Sequence, residues 1–282
     1  MNGTDDMLVQ EMKEHTGQLL RRMETNRMRG PGMEGAQVWD TPLLGFARGD
    51  DALFRFYKED IGGFYFLPEE AFALKYRGPA AGPLTVVSLA FPHTAETLAA
   101  QRESVRLPSA RWSFSRQHWP GFADDMSARL AGWLSGRGIR SVDPERLPEW
   151  RWQKSDAYGF ASRWSQRHTA YAAGLGTFGL CDGLITEKGK AVRFLSLVLE
   201  ADIPPTPRAY RDRHEWCLHY RDGGCGLCMA RCPAGAVSHA GHDKERCNAY
   251  CQAVGRELGT EPGRDTGCGL CQAGVPCENR RP

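Results

Sequence analysis

The sequence lacks a strong excess of charge of either sign. Its 282 residues include 36 Lys and Arg and 34 Asp and Glu, which leaves a formal net charge of +2. A balance so close to neutral provides no long-range attraction for nucleic acid or for an anionic membrane surface. The composition therefore predicts that nucleic acid is not a partner.

Long apolar runs are also missing. No stretch reaches the roughly 18 apolar residues that a membrane-spanning helix needs. The first residues, MNGTDDMLVQEMKEHTG, are charged and lack the apolar core of a signal peptide. We therefore expect a cytoplasmic protein with no membrane partner.

Cysteine is nearly absent from the first three quarters of the chain, where Cys181 stands alone. The other nine of the ten cysteines lie between Cys217 and Cys277. In a reducing compartment such crowding favours metal ligation, and disulfides are the alternative.

The first cysteine motif is CGLCMARCPAGA at 225–236. A cluster-binding loop of bacterial ferredoxins reads C-x2-C-x2-C-x3-C-P, and Cys225, Cys228, Cys232 and Pro233 reproduce its last defined positions. The position of the first cysteine holds Asp222 instead. Either the motif has decayed, or its missing ligand comes from elsewhere in the chain.

A second motif contains Cys268, Cys271 and Cys277, with Cys247 and Cys251 upstream. In two-cluster ferredoxins the last cysteine of a motif ligates the other cluster. With Cys217 as the nearby replacement for the missing ligand, this crossing predicts two groups. The first cysteine set is Cys217, Cys225, Cys228 and Cys277, and the second cysteine set is Cys232, Cys247, Cys268 and Cys271.

The irregular positions support a remodelled motif. Cys217 and Cys277 both depart from the regular spacing, and both fall in the first cysteine set. Cys251 follows Cys247 by one helical turn, so either residue can face the metal. Nine candidates for eight places predict two 4Fe–4S clusters, and structural zinc, for which C-x2-C pairs are also typical, is the alternative.

The rest of the chain predicts a mixed α/β fold. Periodicity indicates helices over 7–28, 122–138 and 162–173, and the apolar run LTVVSLAF at 84–91 indicates a buried strand. The segments 184–186 and 192–200 flank the turn EKGK and predict a β-hairpin. Three prolines, Pro204, Pro205 and Pro207, follow the second of these segments and mark a domain boundary. We therefore divide the chain into an N-terminal helical or irregular region, an α/β domain and a small metal-dependent domain, at 1–83, 84–207 and 208–282.

A glycine-rich turn, AGLGTFG, precedes that hairpin. Its glycines, Gly174, Gly176 and Gly179, match G-x-G-x-x-G, but a helix rather than a strand precedes them, which disfavours a dinucleotide site. A tight turn from helix to strand is the plain alternative.

Together, the glycine turn, the hairpin and the two cysteine motifs resemble epoxyqueuosine reductase and its relatives, which include the reductive dehalogenases. The resemblance covers roughly residues 84–277. It implies a nitroreductase-like α/β domain that holds base-off cobalamin, followed by a ferredoxin-like domain with two 4Fe–4S clusters that deliver single electrons. It also implies a low-potential donor, ferredoxin or flavodoxin, and places the backbone of four residues near the corrinoid: Gly174, Gly176, Thr177 and Gly179.

Three departures limit the resemblance. Phe160 stands where the family has an aspartate proposed as proton donor, and Leu180 stands where its glycine turn has a lysine. The helical repeats that help many of those enzymes to hold tRNA are missing from this sequence. We therefore expect a small-molecule substrate rather than tRNA.

Proton donors are sought in the segment before the glycine turn. We assign candidate catalytic roles to Tyr158, Arg167 and His168, because histidine titrates near neutral pH and arginine binds anionic substrates. Surface charge on a helix is the alternative. Cys181 is either a small buried apolar residue or a redox group.

The resulting hypothesis is an iron–sulfur, cobalamin-dependent reductase. A non-catalytic ferredoxin-type electron carrier is one alternative, although a carrier would need little more than residues 208–282. An RNA-associated protein with structural clusters is the other.

Overall fold

The computed structural model describes residues 3–260 and 267–282. Its helices are α1 (Gly3–Arg22), α2 (Ala52–Asp60), α3 (Pro68–Tyr76), α4 (Ala95–Glu103), α5 (Ala110–Ser135), α6 (Gln166–Ala172), α7 (Leu218–Asp222), α8 (Leu227–Ala230) and α9 (Lys244–Glu257). Its strands are β1 (Leu43–Arg48), β2 (Leu84–Pro92), β3 (Ser141–Val142), β4 (Trp152–Ser155), β5 (Gly159–Ser162), β6 (Gly176–Phe178), β7 (Leu184–Thr186), β8 (Val192–Glu200), β9 (Val237–Ser238) and β10 (Gly241–His242).

A four-stranded antiparallel sheet lies at the centre, in the order β1–β2–β8–β3. The inner strands, β2 and β8, are buried along nearly their whole length. A strand that is apolar on both faces needs cover on both sides of its sheet. The helices provide this cover, and the predicted mixed α/β fold is confirmed.

Each face of the sheet has its own apolar core. On one face, Met126 of α5 and residues of α1 share a cluster with Leu197 of β8. On the other face, Phe54 of α2 and Phe72 of α3 share a cluster with Val198, the next residue of the same strand. Neighbouring residues of β8 therefore serve opposite layers, as the alternation of side chains along a strand requires.

The predicted strand at 84–91 is confirmed as β2, but the predicted hairpin is wrong in its pairing. β7 pairs with β6, whereas β8 pairs with β2 and β3. The turn between them is closed by a single bridge, Thr186 to Gly189. The reason is burial: β8 is apolar on both faces, so it takes an inner place in the central sheet.

Residues 1–83 contribute to this same core. β1 forms an edge of the central sheet and pairs with β2 along six residues. The helices α2 and α3 pack against one face of the central sheet. The first region thus completes the layers around the sheet.

The cysteine-rich segment from 208 onward contains α7–α9 and the β9–β10 hairpin and packs on α4 and α5. Gln101 of α4 donates its side-chain N–H to the carbonyl of Cys268 at 2.9 Å. Arg102 forms a bidentate ion pair with Glu278, whose side chain is 4% exposed. A separate observation concerns membranes: every described helix is too short or too polar to span a bilayer.

Replacement of Glu278 by Gln should destabilise the protein. The change removes the charge that holds Arg102 and weakens the acceptor for the backbone N–H of Gly274, which lies 2.6 Å away. We expect the free energy of unfolding to fall by about 1–2 kcal/mol, because Arg102 stays half exposed and can be rehydrated. Urea denaturation measures the change. Arg48→Gln, at an exposed ion pair with Asp50, is the control and should have little effect.

Candidate metal centres

The cysteines are brought together without disulfides. All ten lie within the described residues, and all ten are free thiols. The structure therefore gives no support to the disulfide alternative.

The first cysteine set converges on one cavity. Cys217, Cys225, Cys228 and Cys277 all line it, together with Leu180, Lys190 and His219. Cys217 lies at the N-terminus of α7, and Gly223, with a φ of 70°, ends that short helix and turns the chain back toward Cys225. The four residues assigned to this set from spacing and the family resemblance thus share one space.

Asp222, which occupies the position of the missing cysteine, serves a different purpose. Its carboxylate accepts the backbone N–H of Gly224 at 2.9 Å and pairs with Arg221. Its side chain is half exposed. Asp222 therefore shapes the turn between α7 and Cys225.

The second cysteine set is gathered by three short elements. Cys232 follows α8 and accepts the backbone N–H of Ala236 at 3.2 Å. Cys268 and Cys271 flank a tight turn, and burial raises the pKa of Cys268 to about 12. A hydrogen bond with Cys251 and burial raise the pKa of Cys247, which lies on α9. The charges of Cys268 and Cys232 raise it further.

Cys251 also belongs to this neighbourhood. The hydrogen bond from Cys247 lowers the pKa of Cys251 to about 6, with help from the backbone of Cys268 and the charge of Arg116. Cys247 and Cys251 are one turn apart on α9 and both face the set. The choice between them as ligand stays open, as it does in the sequence.

Gly269 explains why the second motif contains glycine. Its φ of 64° is left-handed, and a Cβ there would lie 2.1 Å from the indole of Trp112. The glycine lets the loop between Cys268 and Cys271 lie directly on α5. Any side chain would push the loop away from the helix.

Cys181 reaches both cysteine sets. Its thiol hydrogen-bonds with Cys228 of the first set and Cys271 of the second, and these bonds lower its pKa. Lys190 donates its ammonium N–H to the Cys181 sulfur at 3.3 Å. Burial acts against the charge of Lys190, but four cysteines around it raise its pKa overall, namely Cys181, Cys277, Cys228 and Cys271.

The donor atoms of both cysteine sets are sulfur alone. Among the described residues, no group of three His, Cys, Asp or Glu side chains is arranged to hold a metal ion. All-sulfur donor sets suit four-iron clusters and also structural zinc. The choice between iron–sulfur clusters and zinc therefore stays a prediction from the motifs.

The glycine turn is packed against the chain's own atoms. A Cβ at Gly176 would lie 1.9 Å from the carbonyl oxygen of Ile185, and one at Gly174 would lie 3.0 Å from the carbonyl of Thr206. The Thr177 hydroxyl is fully buried and accepts the backbone N–H of Trp216.

Gly179 is also packed against the chain's own atoms, since an added Cβ there would lie 3.4 Å from Gly183 and Ile185. The Cβ directions of the three glycines and the Thr177 hydroxyl thus face protein, which leaves only the backbone of these positions for a contact with a corrinoid. Cobalamin binding there stays a prediction that rests on the resemblance.

The three predicted catalytic residues lie where α6, the β4–β5 hairpin and the start of α9 approach one another, a region called the polar region below. Lys244 links them: its ammonium lies 5.5 Å from the ring centre of Tyr158, and its charge acts on His168. Arg167 donates to the carbonyl of Asp182 at 2.5 Å.

His168 and Tyr158 differ in what they can donate. The imidazole of His168 bonds Ser165 at 2.8 Å and is enclosed, and burial lowers its pKa to about 3. It is therefore neutral at pH 7. The Tyr158 hydroxyl donates to Asp60 at 2.7 Å, which raises its pKa, so it is protonated at neutral pH.

Sequence reasoning missed three residues of the polar region. Asp182 has a left-handed φ of 57° and lies 3.1 Å from the Nδ1 of His242. Lys244 donates weakly to the carbonyls of Tyr158 and Phe160. The Asp-Gly dipeptide at 182–183 marks a turn in the sequence, but nothing there signals that α9 would meet it.

Comparison with known proteins adds to this geometry. No family model and no curated protein sequence matches the chain. Among solved structures, the epoxyqueuosine reductase of Bacillus subtilis matches 98% of the chain with a TM-score of 0.53 at 16% identity. The chain has the fold of the epoxyqueuosine reductases. The resemblance stated from the sequence is confirmed.

Two further structures extend the comparison. The epoxyqueuosine reductase of Streptococcus thermophilus matches 98% of the chain with a TM-score of 0.51 at 14% identity. A catabolic reductive dehalogenase matches 96% with a TM-score of 0.52 at 13% identity. The chain spans 67% of the two epoxyqueuosine reductases and 36% of the dehalogenase. At such low identity the likeness concerns the fold.

Single serine substitutions on α9 should identify the ligand. We expect Cys247→Ser to lose one cluster, because the family resemblance implies a single ligand ahead of the Cys268 and Cys271 pair and Cys247 is assigned to that place. Cys251→Ser should leave both clusters in place. Iron counted on anaerobically reconstituted protein gives the answer, and a loss of iron in Cys251→Ser alone would reverse the assignment.

Cys217→Ser and Cys277→Ser should have the same consequence. Both residues line the cavity of the first cysteine set, so either change should remove the same signal in low-temperature electron paramagnetic resonance. Cys232→Ser is the matched control and should remove the other signal. Retention of both signals in Cys217→Ser would show that this thiol is no ligand.

Proposed function

We propose that the protein is an iron–sulfur oxidoreductase with a 4Fe–4S cluster at each cysteine set and a reducing site in its α/β domain. One observation carries the proposal: Cys217, Cys225, Cys228 and Cys277 meet at a cavity that Leu180 of the glycine turn also lines. The residues that would hold the cluster thus lie directly against the α/β domain. When bound, the clusters would supply single electrons.

The contacts favour a reductase over a carrier. Cys181 and Lys190 extend from the α/β domain to both cysteine sets. A separate electron carrier needs no such contacts, because its clusters exchange electrons with external partners. The α/β domain is therefore the natural destination for electrons in this chain.

The polar region is suited to a small anionic substrate. Arg167 and Lys244 lie within electrostatic reach of each other and of Asp182. Arginine and lysine there would bind an anionic group. Tyr158, which is 38% exposed and protonated at neutral pH, is the residue that can supply a proton.

Cobalamin and the remaining partners belong to the proposal as well. Cobalamin, when bound in the α/β domain, would provide a strongly reducing metal centre. A ferredoxin or flavodoxin would deliver electrons to the ferredoxin-like segment at 208–282, in the cytoplasm. A solved epoxyqueuosine reductase holds a modified tRNA stem loop, whereas the near-neutral charge of this chain supports a small-molecule substrate.

Metal and cofactor analysis tests the proposal. Full-length protein reconstituted without oxygen should contain about eight iron and eight sulfide per chain, as two 4Fe–4S clusters require. Cobalamin added to this protein should remain bound through gel filtration, and its absorption spectrum reports the binding.

The outcomes separate the parts of the proposal. About four iron per chain, or stoichiometric zinc, would contradict the two-cluster assignment. Eight iron without retained corrinoid would leave the clusters in place and remove cobalamin from the function. The control is Cys225→Ser, which should hold less iron.

A further inference from the structure

Lys190 is a buried cation with sulfur on several sides. It is 3% exposed, and its ammonium group donates to the Cys181 sulfur at 3.3 Å. Cys277, Cys228 and Cys271 also lie within electrostatic range. Burying an ammonium group is unfavourable unless polar or negatively charged groups surround it. Sulfur atoms, rather than carboxylates, surround it here, and the Cys181 sulfur accepts its hydrogen bond.

The backbone fixes Lys190 in this place. Its N–H donates to the carbonyl of Cys277 at 2.8 Å, and the N–H of Ala191 donates to Glu278 at 3.0 Å. Gly189, with a φ of 73°, lies so close that a Cβ would stand 2.2 Å from the Glu278 carbonyl. The lysine therefore cannot swing out to solvent without opening the contact between the turn and the C-terminal segment.

The two cysteine sets are not equally close to this charge. Lys190 lines the cavity of the first cysteine set and acts on two of its members, Cys228 and Cys277. Of the second cysteine set, it acts on Cys271, but no member of that set is among the described residues that line the cavity of Lys190. A fixed positive charge favours the more reduced, more negative state of a cluster, and the effect falls with distance.

We propose that Lys190 raises the reduction potential at the first cysteine set relative to the second, with Cys181 holding its ammonium in position. The inference rests on the proposed two-cluster function. Lys190 is thus a positioning residue that acts through charge. The reduction potential of the first set is then the higher of the two, so that an electron shared between the sets resides at the first set.

Lys190→Met tests the inference, because methionine keeps the unbranched chain and removes the charge. The probe is a redox titration of the anaerobically reconstituted full chain, followed by electron paramagnetic resonance. Loss of the signal in Cys217→Ser identifies the first cysteine set. We expect its midpoint potential to become more negative in Lys190→Met, with a smaller shift at the second set. Lys190→Arg should restore the value toward that of the unchanged protein.

Lys188→Met is the matched control. Lys188 lies on the same turn, but its ammonium donates to the carbonyl of Thr41 at 2.8 Å. Its replacement should leave both potentials unchanged. Equal shifts in Lys188→Met and Lys190→Met would overturn the inference, because the effect would then come from the turn and not from the buried charge.

Other outcomes are equally decisive. Unchanged potentials in Lys190→Met with full iron content would overturn the inference and leave the proposed function intact. If Lys190→Met fails to hold iron, Lys190→Gln keeps a donor for Cys181 without the charge, and an unchanged potential there would also overturn it. Failure of the unchanged protein to bind two clusters would instead contradict the proposed function.

Discussion

The contact between the turn at 187–190 and the C-terminal residues is the constraint on which the rest of the protein depends. Two backbone hydrogen bonds join Lys190 and Ala191 to Cys277 and Glu278. They fix the last cysteine of the first set relative to the central sheet, since the strand that follows the turn is β8. The ion pair of Glu278 with Arg102 secures the same segment to α4. Without this contact the cavity of the first cysteine set would lose one of its walls.

Sequence alone predicted the buried strand at 84–91 because its burial depends on local composition, whereas the grouping of the cysteines stays a prediction from spacing and the family resemblance. The run at 84–91 is apolar on both faces, so its burial follows from its residues. Cys217 and Cys277 depart from the regular motif, and the fold brings both to one cavity. The same reasoning failed for the pairing of β7 and β8. Which strands become neighbours depends on the whole sheet, and a short turn between two strands does not determine it.

Burial and long-range contacts account for what the sequence missed. His168 was assigned a proton-transfer role because histidine titrates near neutral pH, but its enclosure keeps it neutral. Lys190 follows a turn and reads as a surface residue, yet it is among the most buried charges of the chain. Lys244 and Asp182 are 62 positions apart in the sequence, and they come within electrostatic reach only because the fold brings the start of α9 close to Asp182. None of these environments is encoded within a few residues of the side chain itself.

The order of the ligands along the chain has a consequence for assembly. Cys217 and Cys277 stand at the two ends of the cysteine-rich segment, and the second cysteine set, from Cys232 to Cys271, lies entirely between them. Cluster binding at the first cysteine set would therefore close one large loop around the second set. Closing a loop of about 60 residues costs roughly 4 kcal/mol of chain entropy by the relation used for disulfides. A cluster bound first at the second set would shorten the free loop and lower the entropic barrier to binding at the first set.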